Sequence, residues 1–248
     1  LLTSSVDALA HWGRTIEDTY PEMVTCVFSG TAMLNRVVGR KGLRTGLITS
    51  KGFEDFHRMG RAIQCYLGYA FEDRLHLNSH KYDESLVHIH DTRGVTERID
   101  CKGAVVIPVR VEEATQAAKE LVDQGVKAIA ISLLSSYLNP AHEHAVRDAV
   151  EKVVKDSGSD IPVFASVDYY PARKESHRTN TTILEAYAAE PSRKILGKLS
   201  DTMRSKGGKF DVRVMATHGG TISWKAKELA RSLVSGPIGG VIGAKYLA

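Results

Sequence analysis

A glycine-rich segment near the end of the chain has the spacing of a helix whose first turn can bind an anion. It reads Ser235-Gly236-Pro237-Ile238-Gly239-Gly240-Val241-Ile242-Gly243-Ala244. The proline presets φ for a first helical position, and the glycines share one helical face, so another backbone or a flat ligand can approach closely. Exposed N–H groups at such a start favour phosphate. The alternative is tight helix packing without a ligand, which the spacing by itself favours.

A second pair of glycines follows a predicted strand. In Met215-Ala216-Thr217-His218-Gly219-Gly220-Thr221, the two glycines allow the backbone to fold tightly around an anion. Thr221 or Ser223 can cap a following helix. The alternative is an ordinary turn between a strand and a helix, which a Gly-Gly pair alone favours.

Two polar segments bring hydroxyls and cations together. Residues 173–182, Arg-Lys-Glu-Ser-His-Arg-Thr-Asn-Thr-Thr, suit an anionic ligand or a buried ion-pair network, and the network is the favoured interpretation. Nearer the start, Ser29-Gly30-Thr31-Ala32 precedes a predicted helix from Met33 to Arg40. Its hydroxyls can cap helix N–H groups or contact a phosphate, and capping is favoured.

The remaining chemistry-bearing side chains predict neither a metal site nor a catalytic base. His76 and His80 are four residues apart, as two ligands on one helical face would be, but their segment lacks helical character and a neighbouring carboxylate in a metal pattern. His142 and Glu143 lie at a predicted helix start and are interpreted as structural or supporting groups. The spacing indicates no Ser-His-Asp or Cys-His triad.

The composition is that of an ordinary globular protein. Its 248 residues include 33 Lys and Arg and 29 Asp and Glu, a net charge of +4. Apart from short basic clusters, these charges are scattered, which argues against a nucleic-acid partner. Three widely separated cysteines predict reduced thiols and a cytoplasmic location. The sequence has neither an apolar run of membrane-spanning length nor a basic region typical of a signal peptide at its start, so no membrane partner is predicted.

Strand and helix patterns alternate, which predicts an α/β fold with a parallel or mixed sheet. The predicted strands cover residues 43–49, 94–100, 104–111, 126–134, 161–166 and 211–215, with a hairpin turn at Cys101-Lys102-Gly103. The predicted helices cover residues 54–59, 112–124, 139–155, 174–205 and 225–233, and the glycine-rich end. Gly125 should end the second of these helices, Asn139-Pro140 should begin the third, and Pro191 should break or kink the fourth near Glu190.

Taken in order, these segments resemble the hydantoinase A/oxoprolinase family, in particular its acetone and acetophenone carboxylase branch. The resemblance covers about residues 24–248. It is carried by residues 29–35 (SGTAMLN), 42–55 (GLRTGLITSKGFED), 94–100 (GVTERID), 132–143 (SLLSSYLNPAHE), 214–220 (VMATHGG) and 235–237 (SGP), and by the segment with Glu175, Arg178, Thr181 and Thr182.

The resemblance implies a partial actin-like ATPase fold (ribonuclease H-like), with mixed sheets and packed helices, of the kind in which two lobes close on ATP. It divides the chain into an N-terminal hydantoinase/oxoprolinase-type α/β region over residues 1–160, with an irregular insertion near 61–91, and the start of a hydantoinase A-type ATPase core over residues 161–248. The family's two phosphate loops are expected outside this chain. We therefore expect the isolated chain not to turn over ATP.

The resemblance also implies a function, in which phosphoryl transfer from ATP activates a carbonyl or amide oxygen. We expect part of the ATP-dependent subunit of a biotin-independent ketone carboxylase, of the acetone or acetophenone type, which uses bicarbonate. Residues 60–87 favour this branch, because Gly60–Gln64 and Asp73–His76 stand where ring-opening members usually carry an Arg-Pro and Leu-Tyr pattern. The alternatives are a ring-opening 5-oxoprolinase or hydantoinase and a non-catalytic subunit-contact module.

Specific residues and partners follow from the same resemblance. The cofactors are ATP and Mg²⁺, and the residues expected on the nucleotide side are Gly219, Gly220, Ser235, Gly236, Gly239 and Gly240. Glu175 and Arg178 are expected in a substrate-side network. The expected partner is a hydantoinase B-like subunit in a hetero-oligomer, which can carry a further metal. The expected substrate is a small ketone or a cyclic amide.

Overall fold

The computed structural model describes residues 2–59, 68–76 and 84–247. The chain forms two compact units. Unit 1 consists of Leu1–Gly39 and Ala188–Ala248, and unit 2 consists of Arg40–Tyr187. The chain therefore leaves unit 1, builds unit 2 and returns. The boundary expected near residue 160 separates two regions defined by resemblance to the family, not two compact units. It stays a prediction.

The strands and helices are numbered in chain order. The strands are β1 (Thr25–Phe28), β2 (Thr45–Ser50), β3 (Thr92–Val95), β4 (Arg98–Ile99), β5 (Val105–Ile107), β6 (Ala128–Ser132), β7 (Val163–Ala165), β8 (Asp211–Met215) and β9 (Thr221–Ser223). The helices are α1 (Leu2–His11), α2 (Ile16–Thr19), α3 (Ala32–Val38), α4 (Phe56–Met59), α5 (Phe71–Arg74), α6 (Val111–Asp123), α7 (Ala141–Asp156), α8 (Ser166–Tyr169), α9 (Glu175–Leu184), α10 (Glu190–Ser205) and α11 (Ser235–Leu247). Short 3₁₀ turns lie at Tyr20–Glu22, Ile89–Asp91 and Leu229–Ser232.

Unit 2 is built on a parallel four-stranded sheet with the order β3-β2-β6-β7. Strands β2 and β6 are buried along their whole length. Their nearly continuous apolar or small residues are typical of central parallel strands, because helices cover both faces of such a sheet. The short antiparallel pair β4–β5 forms a separate two-stranded sheet.

The two faces of this sheet pack against different helices. Ile129 and Ile131 of β6 point to one face, where they join a core formed with α6 and α7. Ala128 and Ala130 point to the other face and pack with Phe164 and with Ile183 of α9. Successive side chains of a strand point to opposite faces of the sheet, so the bulky residues of β6 pack in one core and its small residues in the other.

Unit 1 contains a mixed three-stranded sheet with the order β1-β8-β9. Strands β1 and β8 are parallel, with Thr25 opposite Asp211 and Phe28 opposite Val214, whereas β8 and β9 are antiparallel. Tyr20, Met203, Phe210 and Val212 belong to the core beside this sheet. Together the two units confirm the α/β class with mixed sheets and packed helices.

Several predicted element boundaries are confirmed by the structure. Helix α6 ends at Asp123, and Gly125 adopts the left-handed conformation with φ +79°. Gly103, at φ +87°, lies in the predicted hairpin turn. The long helical segment is interrupted by a π-helical turn, Glu185–Ala189, and Pro191 lies just after it in the first turn of α10.

Other element predictions are wrong. Thr217–Gly220 forms the turn of a hairpin between β8 and β9, rather than a link to a helix. Residues 225–233 hold only the 3₁₀ turn Leu229–Ser232, because the chain first completes β9 and a turn. The predicted strand 94–100 is divided between β3 of the parallel sheet and β4 of the antiparallel pair.

Some predictions fall on residues that the structure does not describe. Much of the expected insertion at 61–91 lies outside the described residues, as does His80. Within the described ranges no three His, Cys, Asp or Glu side chains come together to hold a metal ion. Among these same residues, none of the helices combines the length and apolar character needed to cross a bilayer.

Candidate functional site

The carboxyl ends of β1 and β8 meet at one edge of the unit 1 sheet, because the two strands are parallel. The loop Ser29–Thr31 follows β1, and the turn Thr217–Gly220 follows β8. Helix α11 begins at the same place, where the Ser235 hydroxyl donates to the carbonyl oxygen of Gly30 at 3.2 Å. Edges of this kind are where open α/β sheets bind ligands. We call it the unit 1 edge.

Two of the predicted helix glycines pack against the loop that follows β1. A Cβ atom on Gly236 would lie 3.3 Å from Cγ2 of Thr31, and one on Gly239 would lie 3.3 Å from Oγ of Ser29. A Cβ atom on Gly240, by contrast, would meet nothing within 4 Å. At Gly236 and Gly239, the close approach that the spacing predicted is therefore made by the Ser29–Thr31 loop. Gly240 borders open space.

The glycine pair of the β8–β9 turn is also held by neighbours within unit 1. Gly219 has φ +85°, and a Cβ atom there would lie 3.2 Å from Cδ1 of Ile242 in α11. The N–H of Gly220 donates to Nδ1 of His218 at 3.2 Å, and the N–H of Thr217 donates to the carbonyl oxygen of Arg231 at 2.7 Å. The structure thus brings all six residues expected on the nucleotide side to one edge, where their role in nucleotide binding stays a prediction.

The contrast between neighbouring glycines predicts opposite effects of substitution. Gly239→Val should lower the free energy of unfolding by about 1–3 kcal/mol, because a branched side chain must displace the Ser29 loop. Gly240→Ala is the matched control and should raise it by up to about 1 kcal/mol, because it removes a helical glycine without a clash. Urea unfolding of both variants measures these changes. Destabilisation by Gly240→Ala equal to that by Gly239→Val would contradict this placement of α11.

A second edge lies in unit 2, at the carboxyl ends of its parallel sheet. Polar residues stand at or just beyond each strand end: Ser50 at the end of β2, Glu97 after β3, Ser132 at the end of β6 and Ser166 after β7. All four are buried. Because buried polar groups need hydrogen-bond partners, these residues must form a network at this edge.

Arg178 of α9 is the central cation of this network. Its side chain is fully buried, and it forms an ion pair with Glu175 one turn earlier. Its guanidinium also donates to the Ser166 hydroxyl at 3.0 Å and to the carbonyl oxygens of Ala172 at 2.9 Å and Leu133 at 2.8 Å. The structure therefore brings the predicted Glu175 and Arg178 together in a buried network, and their substrate-side role stays a prediction.

Glu143 of α7 is the central acceptor of the network. It accepts hydrogen bonds from the N–H groups of Leu133 and Val167, each at 2.8 Å, and from the Ser166 hydroxyl at 2.8 Å. Burial raises the pKa of Glu143 above its ordinary value, and the two N–H bonds oppose that rise. Because Ser166 contacts both Glu143 and Arg178, it links the Glu143 carboxyl group to the Arg178 guanidinium.

A chain of buried polar groups continues the network across the sheet. Nδ1 of His142 lies 2.9 Å from a carboxylate oxygen of Glu97, and the Ser50 hydroxyl donates to the other oxygen. Oγ of Ser50 accepts from the N–H of Leu134 at 3.0 Å. Glu97 and Ser50 were not singled out from the sequence. The signal that points to them is a polar residue directly after an apolar strand, which is visible only once the strands are placed in one sheet.

The network fixes the loop that follows the central strand β6. Ser135 adopts φ +57°, an unusual conformation for a residue other than glycine. Its N–H is held by the Glu175 carboxylate at 3.0 Å, and the preceding residues are held by Ser50, Glu143 and Arg178. Strained backbone of this kind persists only when the surrounding contacts determine it. The loop is therefore preorganised by four side chains from three other elements, β2, α7 and α9.

Acid should weaken the attachment of α8 to α7. Burial by itself raises the pKa of Asp168, but hydrogen bonds from Arg147 and His144 outweigh it and hold that pKa below its ordinary value. The stabilisation from Asp168 is therefore present above the ordinary pKa and lost as the pH falls through the lowered value. We expect the stability difference between wild type and Asp168→Asn, about 0.5–1 kcal/mol at pH 6, to shrink progressively as the pH falls below the ordinary pKa of an aspartate.

Urea unfolding at several pH values measures this difference. The control is Asp156→Asn, which changes an exposed carboxylate of α7, the helix that carries Arg147 and His144. A wild-type advantage over Asp168→Asn that is as large at pH 2 as at pH 6 would contradict the expected protonation of Asp168.

The fold is that of an α/β protein. At the carboxyl ends of its parallel strands, unit 1 has glycine-rich segments and unit 2 has a cluster of buried polar residues. The family model of the hydantoinase/oxoprolinase N-terminal region matches residues 3–154, and the hydantoinase/oxoprolinase model matches residues 178–248. The chain belongs to the hydantoinase/oxoprolinase family.

Two relatives illustrate where the chain stands within the family. It is 63% identical over 247 residues to the acetone carboxylase beta subunit of Xanthobacter autotrophicus, an alignment that covers 100% of this chain and 34% of the relative. It is 32% identical over 237 residues to the acetophenone carboxylase gamma subunit of Aromatoleum aromaticum, covering 95% and 32%. The chain thus spans about a third of the length of the curated relatives it matches.

Solved structures agree with these relationships. A nucleotide-free acetone carboxylase structure superposes with a TM-score of 0.92 at 63% identity, over 99% of this chain and 35% of that one. An ATP-dependent caprolactamase from Pseudomonas jessenii superposes with a TM-score of 0.77 at 24% identity, over 100% and 35%. The second similarity shows the fold alone.

Proposed function

We propose that this chain is part of the ATP-dependent subunit of a biotin-independent ketone carboxylase, of the acetone or acetophenone type. The observation that carries the proposal is the 63% identity to an acetone carboxylase beta subunit along the whole chain, against 32% to an acetophenone carboxylase subunit. This difference makes acetone the first ketone to test. Bicarbonate is the proposed second substrate.

ATP and Mg²⁺ are the proposed cofactors, and the unit 1 edge is the proposed contact of this chain with the nucleotide. When bound there, ATP supplies the phosphoryl group that activates the carbonyl oxygen. The edge offers exposed side chains at Ser29 and Thr31, together with the open face of α11 at Gly240. Magnesium bound with a nucleotide takes many of its ligands from phosphates and water.

Within this edge the predicted residues have distinct proposed tasks. Ser235, Gly236, Gly239 and Gly219 hold α11 against the two loops, as their contacts indicate. Gly240 keeps space beside the helix for the ligand, and Gly220 shapes the turn through His218. If Gly240 has this task, Gly240→Ala weakens ATP binding although it stabilises the fold, a combination that helix propensity alone does not produce.

The unit 2 edge is proposed to act through its rigid loop. Glu175, Arg178 and Glu143 hold residues 133–135 in place by the hydrogen bonds described above. A loop fixed in this way presents its exposed atoms without an ordering cost when a substrate or another segment binds. We assign Glu175 and Arg178 as positioning residues on this basis.

The proposed assembly is a hetero-oligomer with a hydantoinase B-like subunit that can hold a further metal, located in the cytoplasm. Support comes from the names of the two relatives, a beta and a gamma subunit, which place each of them in a multi-subunit carboxylase. Purification of the complete gene product under native conditions, followed by mass spectrometry of what co-purifies, tests this part. A homogeneous product without any second polypeptide would contradict it.

ATP turnover by the complete purified enzyme tests the proposed reaction. The expected result is turnover that requires both a ketone, acetone or acetophenone, and bicarbonate. Turnover stimulated by 5-oxoproline or caprolactam without bicarbonate would instead indicate a ring-opening hydrolase. Absence of nucleotide binding by calorimetry in an intact, folded complex would indicate a subunit-contact module, and either outcome would overturn the proposal.

A further inference from the structure

A cavity of about 180 Å³ lies within unit 1, between the sheet and two helices. Its apolar walls are Phe28 of β1, Val214 of β8, Met33 of α3, and Ile195, Leu196 and Leu199 of α10. Among the residues that the structure describes, no charged side chain lines it. A space of this size is larger than a packing defect, since close-packed interiors rarely contain voids larger than a water molecule.

The serine hydroxyls that border the cavity are already satisfied by the protein. The Ser192 hydroxyl donates to the carbonyl oxygen of Ala188 at 3.0 Å, and it accepts from Arg36 at 2.6 Å. The hydroxyls of Ser232 and Ser235 donate to the carbonyl oxygens of Leu229 and Gly30. A water molecule is therefore poorly held here, because a buried water needs several hydrogen-bond partners. An apolar molecule has no hydrogen bonds to lose when it enters.

The cavity has an entrance and adjoins the unit 1 edge. Its two exposed lining residues are Ala32, at the start of α3, and Ile195, whose exposed fraction is 53%. Gly30 and Ser235 border the cavity as well as the edge where the Ser29–Thr31 loop meets α11. A molecule inside therefore lies directly beside the loop proposed to contact the nucleotide.

We propose that this cavity is a binding site for a small, uncharged, mainly apolar molecule of up to about eight non-hydrogen atoms, since a cavity of about 150 Å³ accommodates benzene. Charged molecules are excluded, because no lining group compensates their desolvation. That the occupant is the ketone substrate rests on the proposed function. In that case its alkyl or aryl part lies between α3 and α10, and its carbonyl oxygen faces the edge.

Methionine methyl groups provide a direct test. The methionines of the complete gene product, including the five of this chain, carry ¹³C-methyl labels, and butanone and benzene are titrated separately into that protein without ATP. The expected result is a saturable shift of the Met33 methyl signal, assigned by Met33→Leu, with dissociation constants on the order of millimolar. Met59, which belongs to unit 2 and does not line the cavity, should not shift. Acetate and guanidinium, as charged probes, should leave Met33 unchanged.

Two variants fill the cavity from its entrance. Ala32→Leu and Ile195→Trp should each weaken binding of both probes at least tenfold. The matched control, Val38→Leu, changes an exposed residue of α3 away from the cavity and should leave binding unchanged. Because both positions at the entrance are exposed, at least one variant should retain the fold, as circular dichroism will show.

The proposal is overturned if Met33 shows no saturable shift up to the solubility of either probe, if all methyl signals shift together, or if a folded entrance variant binds as wild type does. The probe experiment needs neither ATP nor a partner subunit, so it is independent of the carboxylase assay. In the complete enzyme, Ala32→Leu should also raise KM for the ketone at least tenfold. An unchanged KM, despite lost probe binding, would separate the cavity from the substrate.

Discussion

Replacing Arg178 with methionine is expected to lower the free energy of unfolding by about 3–5 kcal/mol. The variant keeps a long apolar side chain but leaves the carbonyl oxygens of Leu133 and Ala172, the Ser166 hydroxyl and the Glu175 carboxylate without their common donor. Arg178→Lys should recover only part of the loss, because one ammonium group cannot reach acceptors arranged around a planar guanidinium. Urea unfolding monitored by circular dichroism measures these changes.

The control for this prediction is Arg173→Met, which removes an exposed arginine near the same helix and should change stability by less than about 0.5 kcal/mol. A double-mutant cycle with Glu175→Gln should give a coupling energy of about 1–3 kcal/mol, because the two side chains share one network. Equal losses for Arg173→Met and Arg178→Met, or additive effects in the cycle, would contradict the buried network.

Replacing Glu143 with methionine is expected to cost about 3–5 kcal/mol, because the N–H groups of Leu133 and Val167 both lose a buried acceptor. Glu143→Gln should cost less, about 1–3 kcal/mol. Its amide keeps one acceptor oxygen but places its NH₂ group against an N–H donor. The same unfolding experiment measures both variants.

The matched control is Glu151→Gln, an exposed carboxylate on the same helix, which should be nearly neutral. A Glu143→Gln variant as stable as wild type would mean that one of the two N–H groups needs no acceptor from this side chain. That result would contradict the placement of Glu143 between β6 and α8.

The elements that could be predicted from the sequence are those whose signal is local. Helices α6 and α7 have a clear helical period and recognisable ends, and β6 reads as a continuous apolar run. Strand β1 was not predicted, because its four residues alternate between exposed and half-buried and carry little periodic signal. Its identity depends on pairing with β8, nearly two hundred residues later.

The polar network could be predicted only in part for the same reason. Glu175 and Arg178 are three residues apart in a densely polar helix start, so their pairing is local. The contact between Glu97 and His142 joins residues forty-five positions apart, and it exists only because the parallel sheet brings the ends of its strands together. Distant contacts of this kind leave no spacing pattern in one sequence.

The glycines of the glycine-rich helix lie in two different environments. Gly236 and Gly239 allow the Ser29–Thr31 loop to approach, as the packing interpretation expects. Gly240 leaves open space on the helix, as a ligand site would require. Sequence spacing could not assign these tasks to individual glycines, because the assignment depends on which face of α11 meets the loop.

Incorporation of ¹³C-bicarbonate by the complete enzyme tests the proposed activity most directly. With acetone, ATP and Mg²⁺, the label is expected in a new carboxylate carbon, detected by NMR, in an amount that rises with ATP consumed and falls to zero without ATP. Unlabelled products from acetone, or ATP-dependent opening of a cyclic amide in place of labelling, would contradict the assignment of this chain to a ketone carboxylase.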